Sequence, residues 1–397
     1  MDPIHNPYAP GAGSPPPELA GRDRLREQVR IALTRIRAGK HAKSVLMVGL
    51  RGVGKTVLLD RMRTDAEAAG LFTVRTEVAE GRSLPAILAP QLRLALLRVS
   101  TVAKAAYLAK RGLRALAGFA KVLKVKYHDI EVGIDLEPEP GLADNGDLEL
   151  DLGILFETVG LAAKKAGTAV VIFMDEIQYI QEAQFAALIS ALHRCSQTNL
   201  PVTIVGAGLP QLRGLAGEAK SYAERLFEFP MIGPLAPEDA RLAILKPAHE
   251  EGVSYQAAAL AGILTQTHGY PYFLQEWGKH SWDVARKSPI TLHDVTIASI
   301  QAVAALDESF FRVRFDRLTP MEKRYLRAMA ELGPGPHRSG DIATELQRAV
   351  STLAPVRDKL INKGMVWSQS HGETAFTVPL FDAFMKRIMP GSAWRKE

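Results

Sequence analysis

The octapeptide Gly49-Leu50-Arg51-Gly52-Val53-Gly54-Lys55-Thr56 constrains this chain more than any other stretch. It follows the apolar run Ser44 to Val48, which reads as a buried strand, and it opens a helical pattern from Lys55 to Ala69. Glycines let the backbone turn so that successive N–H groups face one point, and the helix N-terminus adds its partial positive charge. The spacing is that of the phosphate-cradling pattern GxxxxGK[ST], in which the lysine reaches the β- and γ-phosphates and the hydroxyl reaches Mg²⁺. Gly49, Gly52, Val53, Gly54, Lys55, Thr56 and Val57 are therefore the expected nucleotide contacts. The other reading is a glycine-rich strand-helix turn that holds nothing.

Hydrolysis needs a second element, and Val170-Val171-Ile172-Phe173-Met174-Asp175-Glu176 fits it. Five apolar residues suit a parallel strand buried on both faces, whose C-terminal edge is where open α/β sheets bind ligands. Asp175 would hold Mg²⁺ with Thr56, and Glu176 would orient and polarise the attacking water. A dinucleotide site would require GxGxxG, but Gly206-Ala207-Gly208-Leu209-Pro210-Gln211 lacks the third glycine and places proline where a helix should continue. Further strands are read at Leu71 to Val78, Ala169 to Met174 and Val202 to Val205, and helices at Glu18 to Arg37, up to Ala163, and Glu182 to Cys195. This order predicts an α/β fold built on a parallel sheet, followed by a mostly helical stretch from Pro230 to about Leu306.

A length of 397 residues suits two or three domains. With 47% hydrophobic and 23% charged residues the chain can build a substantial core, and a net charge of +6 does not by itself assign a nucleic-acid partner. Cys195 is the single cysteine, so no intramolecular disulfide forms, and no cysteine pair suggests zinc. The first residues are acidic and proline-rich rather than basic then apolar, and Leu92 to Val125 is interrupted by Arg98, Lys104, Lys110, Arg111 and Arg114. Neither a secretory leader nor a membrane span is expected, which points to the cytoplasm.

Two segments stand outside the regular pattern. Met1 to Pro17, with six prolines, should be extended, as a solvated tail or as a strap across the next domain. Arg93 to Lys126 carries nine basic residues and no acidic one, whereas Asp129 to Asp151 carries nine acidic residues and no basic one. The basic half reads as helical, and the acidic half as a strand then a loop. The pair is either a nucleic-acid-binding arm shielded by an acidic mimic or two solvated segments that neutralise one another.

From Leu318 the pattern is three helices (Pro320 to Leu332, Ser339 to Gln347, Ser351 to Lys363) and two short strands (Met365 to Ser368 and Ala375 to Val378) around His371-Gly372. This is a winged-helix order. In the third helix Arg357, Lys359 and Lys363, with Arg348 before it, are placed to touch phosphates, and Ser351 and Thr352 to approach bases. Such modules also dock proteins or inhibit their own chain. Phe376, Phe381 and Phe384 read as core rather than as a stacking platform.

Taken together, the two motifs and the order of elements resemble AAA+ P-loop ATPases, in the branch of archaeal ATPases, origin-recognition-like initiators and STAND signalling NTPases. The resemblance runs from about Leu19 to Pro390 and divides the chain into an extended segment (1–18), an α/β ATPase domain (19–233, with the charged insertion at about 100–150), a helical lid (234–310) and a winged helix (311–397). It implies ATP and Mg²⁺ as cofactors. It also implies that Gly21 and Arg22 in Leu19-Ala20-Gly21-Arg22-Asp23 lie near the adenine, and that Pro271 belongs to the lid's GxP element. Arg225 takes about the position from which relatives send an arginine finger into a neighbouring subunit; the other reading pairs it with Glu224 or Glu228. The chain departs from the family where Gly206-Ala207-Gly208 replaces the polar sensor-1 side chain and Tyr270, Pro271 and Tyr272 stand in place of a sensor-2 arginine. The expected function is thus a slowly hydrolysing, nucleotide-controlled switch. Alternatives are an ATP-dependent DNA-binding initiator or regulator acting through the winged helix, and a protein-interaction switch that oligomerises with ATP.

Overall fold

The computed structural model describes residues 1–11, 13, 16–123, 137–368 and 372–395. β1 (Ser44–Val48) is buried along its whole length, as a strand covered by helices on both faces must be. Around it the chain alternates: α1 (Asp23–Arg37) precedes β1, then come α2 (Lys55–Ala68), β2 (Phe72–Glu77), α3 (Leu84–Ser100), α4 (Ala106–Val122), α5 (Leu148–Ala166), β3 (Val170–Asp175), α6 (Glu182–Gln197) and β4 (Val202–Gly208). Two short helices, α7 (Leu212–Ala219) and α8 (Ala223–Leu226), lead to β5 (Phe227–Glu228). These strands form one parallel sheet in the order β2-β3-β4-β1-β5, so β1 and β3 flank β4 and their C-terminal ends lie at one edge. The expected parallel α/β fold is what forms.

One face of the sheet packs on α1 and α2 through Val29, Leu33, Leu58, Leu59 and Met62. The other packs on α3 to α7, where Leu88, Leu92, Phe119, Phe156 and Leu188 are buried. The basic segment is thus two amphipathic helices whose apolar sides complete this core, with Arg111 paired to Glu139 of the acidic segment at 3.0 Å. The strand expected at the start of the acidic segment falls within 124–136, outside the described residues.

Four helices follow, α9 (Pro237–Glu250), α10 (Ala257–Thr267), α11 (Pro271–Val284) and α12 (Leu292–Leu306), continued by a π-helical turn (Asp307–Phe311) and α13 (Arg312–Asp316). The last part comprises α14 (Pro320–Leu332), β6 (His337–Arg338), α15 (Ser339–Leu346), α16 (Val350–Asn362), β7 (Val366–Trp367), β8 (Glu373–Phe376) and α17 (Phe381–Ile388). β6, β8 and β7 make a three-stranded antiparallel sheet in that order. Thr319 caps α14 in a reciprocal capping box with Glu322, and proline occupies the first turn, which explains the sharp start read from the sequence. Phe381, Phe384 and Phe376 are core, and residues from Leu235 to Trp394 share one hydrophobic cluster.

Three details differ from the sequence reading. The first helix starts at Asp23 rather than Glu18, because Gly21 adopts a left-handed φ of +69° that ends any helix running through it. β4 continues three residues beyond Val205, because Gly206, Ala207 and Gly208 still pair with Leu46, Met47 and Val48 of β1; a side chain at 206 would strike Ile177 Cδ1 at 2.1 Å. β6 and α17 were not expected at all; β6 is two residues long and α17 follows a left-handed Leu380. The N-terminal segment is a strap, though not extended throughout, since Pro3–His5 form a 3-10 turn capped by Asp2; the Tyr8 ring packs on Gly278 of α11, and its hydroxyl donates to the Ile244 carbonyl of α9 at 2.6 Å. Among the described residues no helix is long and apolar enough to cross a membrane.

Candidate functional site

The octapeptide links β1 to α2 at the C-terminal edge of the sheet. Gly52 and Gly54 take left-handed φ values of +80° and +85°, and a Cβ on Gly49 would sit 2.2 Å from the Ile232 carbonyl oxygen, so the loop needs its glycines at these places. The cleft above it is about 790 Å³, within the usual range for a small-molecule site. Of the residues named from the sequence, Arg22, Gly52, Val53, Gly54, Lys55, Thr56, Val57, Asp175, Glu176 and Pro271 line it.

Lys55 is buried, with Nζ donating to the carbonyls of Gly49 at 2.9 Å and Leu50 at 2.8 Å. Burial pushes its ammonium down to about 8, against the pull of Glu176 and Asp175. The Thr56 hydroxyl donates to Asp175 Oδ2 at 2.7 Å, which brings together residues 119 positions apart. Burial raises the Asp175 carboxyl above its usual value, a cost that a bound cation would offset. A hydroxyl and a carboxylate oxygen side by side under a phosphate loop are a donor set that fits Mg²⁺, which takes few protein ligands and shares the rest with phosphates and water. Glu176 follows at a left-handed φ of 53° and points its carboxylate at Arg51 (Nη1 to Oε1, 3.6 Å) and at the Gln178 amide.

Gly21 and Gly49 do not line the cleft but shape it. Gly21 leaves room for Asp239 of α9, whose Oδ2 would lie 2.4 Å from a Cβ at 21. Arg22 Nη2 donates to the Gly233 carbonyl at 2.6 Å and lies 3.4 Å from the Val53 carbonyl, tying the segment before α1 to the loop. Pro271 opens α11, and the next backbone N–H, of Tyr272, donates to the Gly52 carbonyl at 3.1 Å. Arg225 is exposed on α8, outside the cleft of its own chain, and the ion pairs with Glu224 or Glu228 are not formed.

Several wall residues escaped sequence reasoning. The strap supplies Ala9, Pro10, Gly11, Gly13 and Pro16, and the start of the last region supplies Ser309, Phe310, Val313 and Arg314. Arg314 sits over the Phe310 ring at 4.1 Å, and that ring stacks on Tyr272 at 4.7 Å. Burial, then the neighbouring Arg51, pushes the Arg314 guanidinium down to about 10. Gln178 spans the gap above Gly208: its Oε1 accepts from the Leu209 N–H at 3.0 Å while its amide donates to Glu176. Arg51 also lines the cleft, at a position of the octapeptide that its pattern leaves open.

Two basic residues in and just after α16 are committed within the chain. Arg357 donates to the Thr374 hydroxyl and to Ser368, both at 2.9 Å, and Lys363 pairs with Glu322 at 2.7 Å. Ser351, Thr352 and Lys359 are exposed. His371 lies outside the described residues.

Residues 18–205 match the model of a family described as an AAA ATPase domain. That stretch is an AAA ATPase domain, as the two motifs implied. Residues 308–385 match a domain of unknown function, DUF8462. No curated protein matches the chain. Among solved structures, a Walker-type ATPase of Pyrococcus abyssi is similar at 15% identity and a TM-score of 0.57, covering 93% of this chain and 96% of that one. The Orc1 protein of Aeropyrum pernix, solved in complex with DNA, is similar at 16% identity and a TM-score of 0.47 over 94% of each chain. The first of these extends the shared fold over nearly the whole length.

Proposed function

We propose that this chain, with its AAA ATPase domain at 18–205, binds Mg-ATP in the cleft and hydrolyses it slowly, as a nucleotide-controlled switch. The observation that carries this reading is the convergence of Lys55, Thr56, Asp175 and Glu176 on one cleft walled by the lid and the C-terminal region. The loop N–H groups and Lys55 bind the phosphates, and the strap with Leu19, Ala20 and Leu235 offers an apolar end suited to a base. Thr56 and Asp175 would hold Mg²⁺, which when bound neutralises charge on the phosphate oxygens. Glu176 accepts the proton of the attacking water and orients its lone pair toward the terminal phosphorus. Slow turnover follows from that carboxylate, whose two oxygens already face Arg51 and Gln178.

The test is ATP affinity and turnover of Lys55→Ala and Glu176→Gln proteins. Loss of affinity in the first, and ATP bound without turnover in the second, are expected; unchanged values in both would sink the reading.

A second reading rests on the three helices and antiparallel sheet of residues 320–376, an order used by winged helices that hold DNA. With Arg357 and Lys363 engaged inside the chain, DNA binding would rest on the exposed Lys359 and the start of α16. Salt-dependent DNA affinity that differs between ATP and ADP forms would support it, and no retention at low salt would exclude it. Exposed Arg225 suits a finger reaching a second copy, which requires assembly with ATP detectable by light scattering.

A further inference from the structure

Arg51 joins the phosphate loop to the C-terminal region. The Arg51 backbone N–H donates to the Thr377 carbonyl at 3.0 Å, and Nη2 donates to the Tyr179 hydroxyl at 2.9 Å. Gly364, in the turn after α16, closes over the guanidinium: a Cβ there would lie 3.0 Å from Arg51 Nη2, 3.0 Å from Leu209 Cδ1 and 3.2 Å from the Tyr179 hydroxyl. The third contact of Arg51 is Glu176, at 3.6 Å. One arginine therefore connects residues 364 and 377 to the carboxylate assigned to water.

We infer that Arg51 is a positioning residue that withholds Glu176 from the attacking water, and that docking of the Gly364 and Thr377 segment keeps it in that position. The inference rests on the ATPase reading above and adds its regulation. Each oxygen of Glu176 keeps a lone pair for water, but the guanidinium beside Oε1 and the amide on Oε2 fix the direction of the carboxylate, so turning it toward a water beside the terminal phosphate loosens one of these contacts. Arg51 is fixed from three sides and cannot follow it.

The experiment measures kcat and KM for ATP in the full chain, for wild type, Gly364→Ala and Tyr179→Phe. Each is measured with and without Arg51→Met, and Glu176→Gln serves as the blank. Gly364→Ala inserts a methyl against Arg51 at a left-handed φ of +63°, and Tyr179→Phe removes an anchor without changing shape, so the second covers the case where the first misfolds. Both should raise kcat about three- to tenfold, with KM changed less than about twofold, and neither should add to Arg51→Met, as expected of coupled neighbours. A kcat that stays level or falls in folded protein, or a gain that persists in the Arg51→Met background, overturns the inference. Turnover in wild type no higher than the Glu176→Gln blank overturns the ATPase reading instead, and this inference with it.

Discussion

Lys55→Met separates what the site costs from what its ligand returns. In the nucleotide-free protein Lys55 is 8% exposed, and burial pushes it down to about 8 from 10.5, opposed by Glu176 and Asp175. The unfolded chain keeps the proton to about 10.5 and the folded chain only to about 8, so unfolding in this window takes up a proton and stability rises with pH. At about 1.4 kcal/mol per unit, the gain between pH 7 and 9.5 is about 2 kcal/mol. Phosphates return the charge, so ATP affinity should be flat below pH 8 and fall about tenfold per unit above it.

Methionine fills the same space without titrating, so the difference between the two proteins isolates this group from every other titration. Urea unfolding of both without nucleotide, at half-unit steps from pH 7 to 9.5, measures the first effect. Calorimetric titration with ATP and excess Mg²⁺ measures the second. A difference in unfolding free energy that moves by less than about 0.5 kcal/mol, together with wild-type affinity flat to pH 9.5, would show that the ammonium is not desolvated and refute the reasoning.

Glu176→Gln keeps the shape of the site but removes its base; turnover should fall at least about 100-fold while ATP stays bound, read by single-turnover hydrolysis and filter retention. Gly49→Ala sets a methyl 2.2 Å from the Ile232 carbonyl, between rigid backbones, and should cost about 3 kcal/mol in urea unfolding. Gly278→Ala puts a Cβ 2.5 Å from the Tyr8 ring and should release the strap, seen as faster hydrogen exchange at residues 6–11 with the sheet unchanged.

The phosphate loop was legible because its chemistry is contiguous: eight residues determine the turn, the lysine and the hydroxyl. Asp175 was legible one step further out, since an apolar strand ending in an acid has one natural place in a parallel sheet. Arg51 shows where this stops. Within the octapeptide its position accepts any residue, and its partners are Tyr179, Glu176, Gly364 and Thr377, which only tertiary folding brings near. The strap follows the same logic. Its prolines marked it as extended, yet its course depends on Gly278 in α11, where the missing side chain makes a slot for Tyr8. The basic and acidic segments misled in another way, because counting charge ignores the apolar faces that place α3 and α4 in the core.

The end of β4 shows how an apparent deficit can be moved rather than left. Gly206-Ala207-Gly208 supplies no polar side chain at the place where the family has one, and from sequence that reads as a missing contact to the hydrolytic centre. In the fold the absent side chains are the reason another one fits. Ile177 occupies the space over Gly206, and Gln178 lies 2.8 Å from where a Cβ of residue 208 would be. From there Gln178 accepts the N–H of Leu209, the residue just past β4, and donates to Glu176. The end of β4 and the Glu176 carboxylate are therefore joined by a side chain from the turn after β3. With Gln178 on one oxygen of Glu176 and Arg51 on the other, the carboxylate is held between a fixed neighbour and one whose hold depends on the C-terminal region. If Glu176 acts on the attacking water as proposed, the rate of hydrolysis would be set less by a missing group than by how firmly Arg51 is docked.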